Sequence, residues 1–152
     1  TTKAPRCLLC PVGDLCEGRA MGEPEKLPVK PPKKAKPERA GCAYWIERGE
    51  GEAREVWLVQ RDGAGMLGGM RALPDDGWTA REDGRGDEPF SAEWETLGAV
   101  RHTFSHAHLT LQVKRARVDQ APDGAGGWWP LARLEEAGLP TLFAKAARLA
   151  QA

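Results

Sequence analysis

The chain has 152 residues, 41% of them apolar and 29% charged, which allows one ordinary domain with a real core plus an extension. No apolar run is long enough to cross a bilayer and no signal-peptide pattern opens the chain, so a cytoplasmic location with no membrane partner is expected. The net charge is zero but uneven: residues 1–40 carry nine Lys/Arg against five Asp/Glu, and residues 41–152 carry thirteen against seventeen, so the second part alone is a poor non-specific binder of nucleic-acid phosphates.

Residues 1–21 form a compact cysteine-bearing segment, and Thr1 in place of an initiator Met reads as a processed or truncated start. Cys7, Cys10 and Cys16 fall within ten residues; in a reducing compartment such crowding points to a metal or cluster rather than to disulfides. Three thiolates suit zinc or an iron–sulfur cluster, each of which normally takes four protein ligands. Residues 22–40 read as a linker. Pro24, Pro28, Pro31, Pro32 and Pro37 remove backbone donors and fix φ, while Lys26, Lys30, Lys33, Lys34 and Lys36 make it basic. Such a segment serves as a solvated spacer or as a basic strap near phosphates or another domain.

A globular domain is expected over residues 41–152. Cys42 to Arg48 and Glu55 to Arg61 have strand character, with a Gly-rich turn between them. Met70 to Leu73 predicts a short third strand, and residues 74–93 a polar surface loop. Leu97 to Thr103, then Leu109, Leu111 and Val113, alternate like paired strands. After a turn at Pro122 to Gly127, Trp128 and Trp129 lead into a short helix ended by Gly138, and Leu142, Phe143, Ala146 and Leu149 recur at helical spacing. The order predicts an α+β domain. Trp45, Trp57, Trp128 and Trp129 are expected to pack, and Trp78, in the polar loop, to be the exposed tryptophan. Cys42 is expected to be a small buried hydrophobe, and His108 a simply exposed residue on the face opposite Leu109 and Leu111.

Two sets of motifs carry a resemblance. Cys7-x2-Cys10-x5-Cys16 is similar to the end of the iron–sulfur motif, Cys-x6-Cys-x2-Cys-x5-Cys, of MutY-type and endonuclease-III-type DNA glycosylases. On that pattern Thr1 to Arg6 are the six spacers and a first cysteine precedes Thr1, so the resemblance implies a 4Fe-4S cluster in a longer protein, absent or unstable in these residues alone. Gly65 to Pro74, Phe104-Ser105-His106, and Trp129-Pro130-Leu131 through Leu139-Pro140 with Lys145 resemble the C-terminal domain of MutY-type adenine DNA glycosylases. Arg71-Ala72-Leu73 departs from the aromatic and acidic residues common at that strand.

The resemblance implies a Nudix-like mixed β-sheet with flanking helices that reads a damaged base, in a bacterial, nucleoid-associated protein of base-excision repair. Its expected partners are duplex DNA with an 8-oxoguanine:adenine mispair, an upstream catalytic domain of the same protein and a sliding clamp. Phe104, Ser105 and His106 would recognise the lesion. Oxidation turns guanine N7 from acceptor to donor and adds an oxygen at C8. The Ser105 hydroxyl, which both donates and accepts, together with a nearby backbone amide would match the oxidised edge. Guanine would leave a polar group unpaired, at about 1–3 kcal/mol. Phe104 would be the wedge or stacking surface. The glycosylase carboxylates are expected outside this chain, which should have no glycosylase activity alone. Two alternatives stand beside this. One is a Nudix-type nucleotide hydrolase, against which the chain lacks the acidic helix that holds magnesium around a diphosphate. The other is an interaction module whose basic, proline-rich linker binds a clamp or repair partner.

Overall fold

The computed structural model describes residues 4–29, 31–32 and 34–152; Lys30 and Lys33 of the linker lie outside the described residues. The chain divides into two compact units, residues 1–35 and 36–152. In the first, single 3-10 turns at Cys7–Leu9, Gly13–Leu15 and Pro24–Lys26 flank the one-turn helix α1, Glu17–Ala20. Leu8, Leu9, Val12, Leu15 and Met21 are exposed there, so this unit has little core of its own.

The second unit is built on a mixed sheet. Its strands are β1 (Glu38–Arg48), β2 (Glu55–Gln60), β3 (Arg71–Ala72), β4 (Glu95–Thr103), β5 (His108–Arg117) and β6 (Gly127–Pro130), in the order β3-β2-β1-β5-β4 with β6 also paired to β2. β1 and β5 run parallel in unbroken register from Glu38↔His108 to Glu47↔Arg117, and the other pairs are antiparallel. That long ladder starts β1 four residues before the expected Cys42. Glu38 to Ala40 therefore belong to the sheet and not to the linker.

Side chains alternate across the pleat. On one face Ala43, Trp45, Leu109, Leu111 and Val113 form the main core with Leu73 and Trp78. The helix α2 (Thr141–Gln151) closes that core with Leu142, Phe143, Ala146, Ala147 and Ala150. No side chain caps its N-terminus, so packing and its alanines hold it; full burial of Leu142 or Phe143 contributes about 1.5–3 kcal/mol each. On the other face Tyr44, Ile46 and Trp57 gather Phe90, Trp94 and Trp128 into a second cluster. A bulge between Thr96 and Gly98 bends β4 towards α2: Gly98 has φ +139°, and a Cβ there would lie 3.4 Å from Leu149.

Trp128 and Trp129 sit on β6, opposite Trp57 and Val56, rather than opening a helix. The 3-10 helix Leu131–Ala137 follows, and Gly138 ends it in the left-handed region, φ 67°. Residues 74–93 hold no helix, yet they are not a loose surface loop. Tyr44 N–H donates to Pro74 O at 2.9 Å, Asp76 N–H to Cys42 O at 3.3 Å, and Gly84 N–H to Ala40 O at 2.8 Å, so this segment is laid along the edge of β1. No helix among the described residues is long and apolar enough to cross a membrane.

Candidate functional site

The turn between β4 and β5 carries the three residues singled out from the sequence. Phe104 N–H donates to Ala107 O at 2.8 Å and closes the hairpin, which leaves Ser105 and His106 exposed at its tip. Thr103 Oγ1 and His108 Nδ1 lie 2.9 Å apart and tie the two strand ends. His108 is therefore half-buried and engaged rather than simply exposed. The tip is mounted on the long β4–β5 ladder, which runs from Glu95↔Arg115 to Thr103↔His108, the setting in which a recognition group keeps its geometry.

Phe104 does not stand free. It is half-buried, its ring centre 6.0 Å from that of Trp78 at an interplanar angle of 31° and 4.5 Å from that of His102 at 63°. Trp78, expected to be exposed, is the hidden member of this stack, with 1% of its surface accessible. The cause is Gly41. A Cβ at position 41 would lie 2.7 Å from the indole, so only the bare backbone of β1 lets Trp78 lie over it. The Arg61 guanidinium sits 4.7 Å from the Trp78 ring centre and is itself bound by Asp75. Asp75 Oδ1 also accepts from Gly77 N–H at 2.9 Å. Burial pushes the Asp75 carboxyl up, against the opposing pull of Arg61. Burial, and then the Lys145 charge, hold the His102 imidazole below its ordinary value, which favours the neutral ring beside Phe104.

Trp78, Gly41 and Arg61 are supports that sequence reasoning missed. A glycine before a strand and a tryptophan in a Gly/Asp-rich loop carry no periodic signal; only the tertiary contact pairs them. Two backbone carbonyls at the turn also take lysines: Lys36 Nζ donates to Phe104 O at 2.9 Å and Lys145 Nζ to Arg101 O at 3.2 Å.

Four acidic residues in and just after the segment before β4 are individually bound. Asp75 binds Arg61, Asp83 accepts from Ala40 N–H at 3.0 Å, Glu88 pairs with Lys114 at 2.8 Å and Glu95 with Arg115 at 2.6 Å. In the first unit Cys7 is half-buried and Cys10 and Cys16 are exposed, all as free thiols. Among the described residues no three His, Cys, Asp or Glu side chains converge as a metal-holding group. Cys42 is half-buried on the second face of the sheet, and burial, then the nearby Asp76, push its thiol up, towards the unreactive protonated form.

Residues 42–149 match the NUDIX domain family, and the chain belongs to it. The chain is 27% identical to the human adenine DNA glycosylase over 99% of its own length, cysteine segment and linker included; it spans 38% of the length of that curated relative. Among solved structures, the C-terminal domain of mouse MUTYH, in its complex with human PCNA, superposes with a TM-score of 0.58 at 24% identity, covering 75% of this chain and 88% of that one. The NUDIX domain of Shewanella oneidensis NrtR, complexed with ADP ribose, gives 0.57 at 18% identity, covering 85% and 96%. The MutT protein of Methanosarcina mazei gives 0.57 at 17% identity, covering 78% and 97%. The mixed sheet with flanking helices is thus a Nudix fold.

Proposed function

We propose that this chain is the lesion-reading portion of an adenine DNA glycosylase of base-excision repair, and that it recognises 8-oxoguanine in DNA opposite a mispaired adenine. The observation that carries the reading is the turn itself. Ser105 presents a free hydroxyl at an exposed tip, and Phe104 beside it is fixed to the core through Trp78. A hydroxyl that accepts from N7–H and donates to the C8 oxygen suits the oxidised base and mismatches guanine. Similarity to a glycosylase along almost the whole chain supports the same reading. Phe104 acts as a stacking surface with one side committed to its own domain, and His106 touches a phosphate or base edge. Replacing Ser105 with Ala should lower the preference for 8-oxoguanine over guanine by about tenfold, the equivalent of about 1.4 kcal/mol for one unpaired group. Equal preference in the variant and the parent would overturn the role.

The adenine-releasing carboxylates belong to a helical domain joined to this one, and the 152 residues by themselves release no adenine. Incubation of a labelled 8-oxoguanine:adenine duplex with this chain alone checks that, and strand scission after alkali would contradict it. The cysteine segment supplies three of four ligands to a 4Fe-4S cluster once a cysteine precedes Thr1. Iron analysis of a chain so extended should give about four irons against almost none without that cysteine; equal iron in both would remove the assignment. A sliding clamp is a further partner, through the basic linker, and deleting residues 22–37 should abolish its capture.

The hydrolase alternative asks for an acidic helix between β3 and β4. There the chain runs as bends held to β1, with Asp75, Asp83 and Glu88 bound to Arg61, Ala40 and Lys114. A magnesium-dependent assay with oxidised deoxyguanosine triphosphate tests this; release of pyrophosphate or phosphate would favour the hydrolase.

A further inference from the structure

The globular unit carries more acid than base, yet its basic residues are not evenly spread. Lys36, Arg101 and Lys145 are all exposed and all belong to the end of the sheet that bears the reading turn. Glu38 shares this end, lining a shallow recess with Arg101, His102, Thr103 and His108. Further along the sheet, Lys114 and Arg115 of β5 are matched by Glu88 and Glu95. Among the described residues Lys36 and Lys145 have no carboxylate partner. Each is held instead by a backbone carbonyl, of Phe104 at 2.9 Å and of Arg101 at 3.2 Å.

This arrangement has a chemical consequence. An ammonium carries three N–H donors and no acceptor. One donor spent on a carbonyl fixes the position of the charge and leaves two for another ligand. The carbonyl neutralises none of the charge. Two full positive charges are thus tethered to the β4 end of an exposed recognition turn, with donors unspent. A duplex that presents a base to Ser105 must bring its own phosphates alongside, and a phosphate is the ligand that two tethered ammoniums suit.

We propose that Lys36 and Lys145 form a two-point phosphate clamp that seats the backbone of the damaged strand beside the base read by Ser105. The clamp rests on the lesion-reading assignment above and adds to it the residues that set register and orientation. It also explains how a domain with net negative charge engages DNA: the attraction is local to one end of the sheet. The first residue of the clamp comes from the segment just before β1, so the end of the linker works as part of the reader.

The test is the salt dependence of binding, measured by fluorescence anisotropy. The full 152-residue chain is titrated with duplexes carrying 8-oxoguanine:adenine or guanine:adenine. Lys36→Gln with Lys145→Gln keeps a donor for each carbonyl and removes both charges, and Lys36→Arg with Lys145→Arg keeps the charges. Loss of two phosphate contacts should reduce the slope of log K against log salt by about 1.8, taking about 0.9 per phosphate, with the ratio between the two duplexes preserved. The arginine pair should keep the parent slope. An unchanged slope in the glutamine pair, with circular dichroism showing a folded chain, would overturn the clamp even where the parent prefers the oxidised duplex. A reduced slope in a parent that treats both duplexes alike would keep the clamp and remove the reading. Absence of binding by the parent at low salt would overturn both.

Discussion

Trp78 owes its place to a side chain that is absent. With 2.7 Å between its ring and the position of a Cβ on residue 41, Gly41→Ala must push the indole off β1. The expected cost is about 1–3 kcal/mol of stability, the range for overpacking a filled core. Urea unfolding measures it, and an unchanged midpoint would show that the stack has slack. The same substitution should disturb Phe104, which leans on Trp78, and so weaken discrimination between duplexes as well as stability. Glu47 is a second residue that the sequence hides, since a charged residue near a strand end normally reads as solvated. It is buried at 2% exposure where β1, β2 and β5 meet, and accepts from Trp45 Nε1 at 2.9 Å, Arg54 at 2.8 Å and Arg117 at 2.8 Å. Burial alone would push its carboxyl up; the bonds from Trp45, Arg54 and Arg117 outweigh this and hold it below the ordinary 4.5. A depressed folded value means that Glu47 contributes stability above the unfolded pKa and loses it as pH falls through the folded one. Glu47→Gln should therefore destabilise by about 2 kcal/mol at neutral pH, the cost of weakening charged hydrogen bonds, and the deficit should shrink as pH falls below 4.5. A deficit constant with pH would assign the effect to packing. Asp75, raised by burial, has the opposite sign: its contribution is greatest below the unfolded pKa and is lost as pH rises through the folded one, so the Glu47 effect is read as a difference between variant and parent.

At the scale of elements, the strands were legible wherever alternation met a core on one side. Leu109, Leu111 and Val113 announce β5, and Leu142, Phe143 and Ala146 announce α2, because burial enforces period two or 3.6. Other elements left no such trace. β1 starts at Glu38 because backbone pairing with β5 extends past its apolar stretch, into residues whose side chains are mostly exposed. The strand β6 reads as a helix start because Trp-Trp-Pro has no alternation to show, and only the partner β2 defines it. Residues 74–93 look like solvent loop by composition, since their order comes from hydrogen bonds to the edge of β1 and from one tryptophan. The site was legible in the same divided way. The turn residues Phe104, Ser105 and His106 were readable as a motif and do occupy a hairpin tip, whereas their supports, Trp78, Arg61, Gly41, Lys36 and Lys145, are joined only by the fold.

Taken as a whole molecule, the chain joins a unit with little core to a well-packed Nudix domain that covers residues 42–149. The two units should differ in local stability: amides of β1 and β5 should exchange slowest, and those of residues 4–29 should exchange near the rate of an open chain. Hydrogen exchange with mass spectrometry checks this, and equal protection in both units would show that they fold as one. The Nudix sheet supplies a mount, and the proposed reading turn sits at one end of it, its tip exposed and its Phe104 packed against Trp78. The central claim is that this turn reads the oxidised base, and it is tested most directly in a glycosylase carrying this domain. Adenine excision is compared opposite 8-oxoguanine and opposite guanine, before and after Phe104→Ala with Ser105→Ala. The account predicts that the preference for the oxidised partner collapses while activity opposite guanine survives. Unchanged rates with both partners would make the turn a structural hairpin and contradict the assignment.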